Sequence, residues 1–351
     1  MPATIGANFE NIPLFDLQEL LDKNNTARAE CITRLRDVCH HIGFFYLKNH
    51  GIETSKLDRM LQLAQAFFNL SPAEKDAVSI AHSPHFRGYG KLRAELTEGI
   101  PDFKETYDLG LEKLVLAVSA GQPYKILHGP NQWPTAEALN TLQWKDTVLD
   151  YIAAMQTVGE QLMTAMAQAL QLPADFFAKK FRSDADDAYA ILRMLRYPPG
   201  RSAGTEEEPE LGVGPHIDAG CLVMLLQDKV GGLQVQNCDG QWIDAPPIDG
   251  TLVVNIGTML QIWSNNYFLA TPHRVINLSS QIRHSVPFFF EPNLATIVTP
   301  LAIAPDLIAN MQRPCADPDT KVVYGEHMLH VYERSFPLAS TGDLPGACAG
   351  S

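Results

Sequence analysis

The residues with the most chemical content are His216, Asp218 and His273. In His216-Ile217-Asp218 the two polar side chains stand two positions apart. On a strand or extended turn such residues point to the same side. His273, in Thr271-Pro272-His273, adds a third donor from a distant strand. Two imidazoles and one carboxylate on one face leave three positions of an octahedron open. That donor set suits ferrous iron that must also engage O2 and an organic co-ligand. A lone His-x-Asp is more often a hydrogen-bonded loop pair, so its neighbours must decide.

Arg283-His284-Ser285 follows soon after His273. In an extended strand Arg283 and Ser285 share a face. A planar guanidinium beside a hydroxyl is a good receptor for a carboxylate, through charge-assisted bonds. An oxoacid that chelates iron through its first carboxylate and keto group could place its far carboxylate there, which describes 2-oxoglutarate. Tyr197, before Pro198-Pro199, could hydrogen-bond the same carboxylate or be a packed core tyrosine. His50 reads as structural. His40, His41, His82, His85, His128 and His330 fit no ligand pattern and read as exposed or hydrogen-bonded.

These groups must be held by elements. Short β-rich runs occupy 191–197, 222–227, 232–236, 241–245, 251–256, 273–278 and 285–290, with Asp239-Gly240 as a hairpin turn. Regular short strands with turn signals imply a sandwich or jelly roll rather than a βαβ sheet. Phe288, Phe289, Phe290 and Trp263 could line an apolar pocket, though such residues usually pack a β core. The first half reads differently. A strand is expected over 12–16, a helix over 26–38 stopped by Gly43, and a buried strand over 44–47. Ser71-Pro72-Ala73-Glu74 is a capping box. A long helix is expected over 135–172, with Tyr151, Met155, Val158, Leu162 and Met166 as a core stripe.

Several strings together resemble the isopenicillin N synthase-like branch of the Fe(II)/2-oxoglutarate-dependent oxygenases. They are GFFYLKNHGI at 43–52, RGY at 87–89, PDFKE at 101–105, GPNQWP at 129–134 and GGLQV at 231–235. The three donors and Arg283-x-Ser285 complete the set, in the order of that family and across nearly the whole chain. The resemblance implies a mainly β fold with flanking α: a double-stranded β-helix (a distorted jelly roll) with a helical N-terminal layer. It implies Fe(II) on His216, Asp218 and His273, and 2-oxoglutarate on Arg283 and Ser285, helped by Tyr197. It implies conversion of 2-oxoglutarate and O2 to succinate and CO2 while a small molecule is hydroxylated or otherwise oxidised at C–H. The expected organisation is an N-terminal region over 1–185, a catalytic core over 186–300 and a C-terminal cover over 301–351.

For the substrate, YGEHMLHVYERSFP at 324–337 resembles the matching stretch of ethylene-forming enzymes, members of the branch that bind arginine. Arg334, Glu95 and Thr97 fall on substrate-contacting positions there, and Arg193 joins them as a candidate. This implies a polar, amino-acid-like small molecule. Ala219 departs from the pattern, since those enzymes use a Tyr after the metal Asp. Two other readings stay open. An isopenicillin N synthase-type oxidase would use iron and O2 without an oxoacid, with Arg283 and Ser285 on the substrate's own carboxylate. A catalytically silent jelly-roll binding protein would keep the fold alone.

Composition bounds the partners. The chain has 351 residues, with 27 Lys and Arg against 40 Asp and Glu, a formal charge of −13. That argues against a nucleic-acid partner, which needs clustered cations, and against a polybasic membrane anchor. No apolar run is long enough to span a bilayer. The six cysteines, Cys31, Cys39, Cys221, Cys238, Cys315 and Cys348, lack metal-binding spacing. With no apolar leader over 1–14, they are expected to be reduced in a cytoplasmic protein. Oligomeric state is not encoded in these features.

Overall fold

The computed structural model describes residues 8–22, 25–119, 121–135, 137–140, 143–200, 210–309, 311 and 313–337. Cys348 and the end of the expected C-terminal cover lie outside the described residues. Two sheets form the centre. The major sheet has eight strands in the order Leu14–Asp16, Phe44–Lys48, Leu252–Ile256, Leu222–Gln227, Arg283–Phe290, Ala190–Tyr197, Glu105–Gly110 and Gly88–Gly90. The minor sheet has four, in the order Trp242–Asp244, Leu233–Gln236, His273–Val275 and Val213–His216. Side chains from both sheets line one cavity. This is the arrangement of a double-stranded β-helix.

The strand Arg283–Phe290 is central to both packing and chemistry. It pairs antiparallel with two neighbours, so that Ser285 lies opposite Leu195 on one side and Gln227 on the other. Alternation sends Arg283, Ser285, Pro287, Phe289 and then Glu291 to the cavity. Val286, Phe288 and Phe290 go to the opposite, buried face. Phe290 stacks on Phe181 with ring centres 5.0 Å apart, and Trp263 packs edge-on against Phe177 at 5.1 Å. Of these aromatics only Phe289 lines the cavity; the others are core.

Helices cover the outer face of the major sheet. The helix Trp144–Ala169 buries Tyr151, Met155, Val158, Leu162 and Met166, the stripe read from its periodicity. It is not one helix over 135–172. A short turn Glu137–Asn140 precedes it, and Gln143 adopts a left-handed φ of +51° that interrupts the helical backbone. Trp144 restarts it, buried and donating its indole N–H to Leu63 O at 3.1 Å. The helix Asn25–His41 runs past the expected end at 38. Gly43 then turns the chain at φ +69°, with Leu269 O only 2.0 Å from where a Cβ would stand. The capping box at Ser71 and Glu74 forms as expected.

The N-terminal layer is less purely helical than its sequence suggests. Half of the major sheet, four of its eight strands, comes from residues before 111. Glu105–Gly110 gives no apolar alternation because Glu105 and Asp108 are buried as charges paired with Lys75 and Arg193. The strand expected over 273–278 is only His273–Val275. Among the described residues no helix is long and apolar enough to cross a membrane.

Candidate metal centre and its cavity

His216 ends one strand of the minor sheet and His273 begins its neighbour, and the two are register partners. Cross-strand partners bring their side chains together. Asp218 follows His216 in the turn beyond the strand. The ligand atoms of His216, Asp218 and His273 all lie within 4.8 Å of one another. His216 Nε2 is 3.7 Å from Asp218 Oδ1, and His273 Nε2 is 3.5 Å from Asp218 Oδ2. Three donors each about 2 Å from one ion must sit within roughly 4 Å of each other, so these separations need little adjustment.

The surrounding bonds aim the donors. His216 Nδ1 faces Gly214 O at 2.8 Å and His273 Nδ1 faces Thr271 O at 3.1 Å. A carbonyl only accepts, so each Nδ1 carries hydrogen and each Nε2 is left with its lone pair toward Asp218. Asn255 Nδ2 donates to Asp218 Oδ2 at 2.7 Å and fixes the carboxylate plane. Burial and the neighbouring His216 pull His273 down to about 4, which keeps it neutral. Burial pushes Asp218 up, but His273, His216 and the Asn255 amide hold it well below the usual carboxylate range. Burial also opposes charge on His216, yet the Asp218 carboxylate outweighs it and raises that imidazole.

The cavity beside these donors measures about 370 Å³ and contains Arg283, Ser285 and Tyr197 on its wall. Arg283 is fully buried. Its Nη1 donates to Ser285 Oγ at 3.1 Å and its Nη2 to Gln227 Oε1 at 3.3 Å. Its guanidinium lies 4.7 Å from the Tyr197 ring centre, so Tyr197 offers a π face beneath the cation. Among the described residues Arg283 Nε has no partner, and no carboxylate pairs with Arg283. A buried cation without a counter-charge is costly. The site therefore fits an anionic ligand from outside the chain.

The other candidates behave differently. Glu95, Thr97, Arg193 and Arg334 all reach the cavity wall. Arg193 pairs with Asp108 through two bonds of 2.7 Å and with Glu95 Oε1 at 2.6 Å. Glu95 also pairs with Lys104 at 2.9 Å, and Lys104 with Asp102 at 2.7 Å. Thr97 donates to the same Asp102 carboxylate at 2.7 Å. Burial works against charge on Glu95, but Arg193 and Lys104 hold it down to about 2. The charges of Glu95 and Arg193 are thus matched inside the chain. Arg334 is exposed at the cavity mouth, and among the described residues no carboxylate pairs with it.

Three contributors were not visible in the sequence reading. Asn255 had a signal, as the one polar residue in the buried strand Leu252–Ile256. Gln227 becomes relevant only through its register with Ser285. His327 lines the cavity and meets Ala219 O at 3.1 Å, a contact between distant segments with no local pattern. His50 is structural as expected, its Nδ1 accepting from Ile52 N at 3.2 Å.

Comparison with known proteins agrees with this geometry. Residues 12–136 match the family of non-haem dioxygenase in morphine synthesis N-terminal regions, and residues 188–292 match the 2OG-Fe(II) oxygenase superfamily. A homoarginine-6-hydroxylase of Arabidopsis thaliana is 32% identical over 95% of this chain and 100% of that protein. One of Glycine max is 34% identical over 92% of this chain and 97% of its own. A full-length Neurospora crassa protein, solved in complex with alpha-KG and thymine, superposes with a TM-score of 0.76 at 27% identity. That match covers 96% of this chain and 100% of the other. These matches favour the oxoacid-dependent enzyme over an oxoacid-free oxidase or a silent binding protein. The chain belongs to the Fe(II)/2-oxoglutarate-dependent oxygenases, in their isopenicillin N synthase-like branch, and is a non-haem iron dioxygenase that oxidises a small molecule.

Proposed function

We propose that His216, Asp218 and His273 hold the ferrous ion and that Arg283, with Ser285 and the Tyr197 ring, holds the far carboxylate of 2-oxoglutarate. The observation that carries this is a fully buried Arg283 with no carboxylate partner among the described residues, in the same cavity as three converging side chains that could hold a metal. The bound iron supplies the redox chemistry by which 2-oxoglutarate and O2 become succinate and CO2 while a substrate C–H bond is oxidised. The chain's own residues supply orientation. Gly214 O and Thr271 O lock the imidazole tautomers, and Asn255 fixes the Asp218 carboxylate. Arg283 anchors the oxoacid at the end of the cavity set by the strand register. Phe289, Ile191 and Val223 make part of the wall apolar.

The substrate in this reading is a small polar, amino-acid-like molecule whose carboxylate meets Arg334 at the mouth. The guanidinium of Arg334, which meets no carboxylate among the described residues, supports it, as do the homoarginine hydroxylases among the relatives. Glu95, Thr97 and Arg193 shape the wall through their internal pairs. A cytoplasmic setting is supported by the free thiols of Cys31, Cys39 and Cys221, all buried. The test is substrate-dependent succinate release with a panel of arginine, homoarginine, ornithine and lysine. At least one should raise release above the substrate-free rate, and Arg334→Ala should raise the KM for it about tenfold or more. If none does, the amino-acid reading is wrong, while oxoacid use is judged separately by binding.

A further inference from the structure

The loop from Asp218 to Cys221 joins a candidate metal donor to the strand Leu222–Gln227. All four of its carbonyls are tied. Thr258 N donates to Asp218 O at 2.8 Å, Met259 N to Gly220 O at 3.0 Å, and Gly257 N to Cys221 O at 2.9 Å. These three ties come from the backbone of one turn. The fourth is a side chain: His327 Nε2 lies 3.1 Å from Ala219 O. Because the carbonyl only accepts, that nitrogen is the donor.

A second side chain holds the same loop from the other direction. Glu291 Oε2 accepts from Cys221 N at 2.7 Å. Gly220 makes room for it, since a Cβ there would stand 1.9 Å from Glu291 Oε1. Glu291 is buried at 3% exposure, and burial pushes it up to about 8. The buried Tyr324 hydroxyl lies near its carboxyl without a hydrogen bond between them. Tyr324 and His327 both belong to the first turn of the helix Tyr324–Ser335, which also carries Arg334. One four-residue loop is therefore held by the helix over the cavity mouth through His327, and by the residue that follows the strand Arg283–Phe290 through Glu291.

We propose that His327, which fastens the C-terminal helix to the 218–221 loop, and Glu291, which ties the Cys221 end of that loop to the strand Arg283–Phe290, are positioning residues that fix the direction of the Asp218 carboxylate. The proposal rests on the reading of Asp218 as a metal ligand. Asn255 holds the carboxylate itself; His327 and Glu291 hold the backbone from which it projects. Metal affinity then depends on a helix whose sequence lies far from every donor.

The test uses the full chain with His327→Leu, His327→Gln, Glu291→Leu and Glu291→Gln. Glutamine keeps a donor at 327 and an acceptor at 291, whereas leucine keeps only bulk. Fe(II) and Co(II) affinities are titrated anaerobically, and the ligand-field spectrum of the Co(II)-loaded protein is recorded. Thermal unfolding of the metal-free protein runs alongside. Both leucine variants should weaken metal binding about tenfold or more and shift the Co(II) spectrum, as loss of outer contacts to a metal site does. The glutamine variants should return to within about threefold of wild type. Unchanged affinity and spectrum in both leucine variants would overturn the proposal. So would weaker binding with an unshifted spectrum and a lowered unfolding temperature, which is a purely structural role. If His327→Leu does not fold, Glu291→Leu cuts the other route and decides alone. A wild-type protein that binds neither metal would overturn the donor assignment itself.

Discussion

Arg193 and Arg283 sit on neighbouring strands of one sheet, both reach the same cavity, and both lie away from solvent. Their surroundings are opposite. Arg193 is matched by Asp108 and Glu95 within the chain. Arg283 has a serine, a glutamine and an aromatic face, and among the described residues no carboxylate. A buried cation with its anions built in is part of the architecture. A buried cation without one suits a negatively charged ligand, and Arg283 shares its cavity with the candidate metal donors. Residue type alone would have grouped the two arginines together; their partners separate them.

Substitution should break this contrast in opposite ways. The largest effect on stability is expected at Arg193. Arg193→Leu strands the buried Asp108 carboxylate and leaves Glu95 with Lys104 alone, and should cost about 3–5 kcal/mol in denaturant unfolding. A loss below about 1 kcal/mol would mean the network is not structural. Glu95→Gln should follow, and its effect should depend on pH. Glu95 has a folded pKa of about 2 against an ordinary 4.5, so its ionised form favours the folded state. That contribution is complete above about pH 4.5 and is lost as pH falls toward 2. Wild type and Glu95→Gln should therefore differ most at neutral pH and converge in acid, which unfolding measured at several pH values will check. The smallest effect on stability belongs to the Arg283 side. Ser285→Ala should change unfolding by no more than about 1 kcal/mol, yet weaken 2-oxoglutarate binding about tenfold by calorimetry. Equal effects of Ser285→Ala on both would blur the distinction between receptor and scaffold.

The same contrast explains what could be read from the sequence. His216-x-Asp218 and Arg283-x-Ser285 stand out as candidates in the sequence because i, i+2 spacing in extended backbone puts both side chains on one side. The apolar strands and the Tyr151 to Met166 stripe were legible through periodicity. The ion-paired wall was not. Buried charges erase the alternation that marks a strand, so Glu105–Gly110 went unseen, and Glu95 looked free to meet a substrate. Asn255 carried a faint local signal, whereas Gln227 and His327 act across register and distance and carried none.

We propose Arg283 as the receptor for the far carboxylate of 2-oxoglutarate, beside iron on His216, Asp218 and His273. The direct test is an anaerobic titration of Fe(II)-loaded protein with 2-oxoglutarate, followed at the visible metal-to-ligand charge-transfer band. Wild type should develop the band, and His216→Ala should not, for want of iron. Arg283→Leu should retain iron and an unfolding temperature at least equal to wild type, because an unpaired buried charge has been removed. It should need about 100-fold more 2-oxoglutarate to reach half the band. A wild-type protein that binds iron but develops no band, or an Arg283→Leu variant with an unchanged 2-oxoglutarate requirement, would contradict the account.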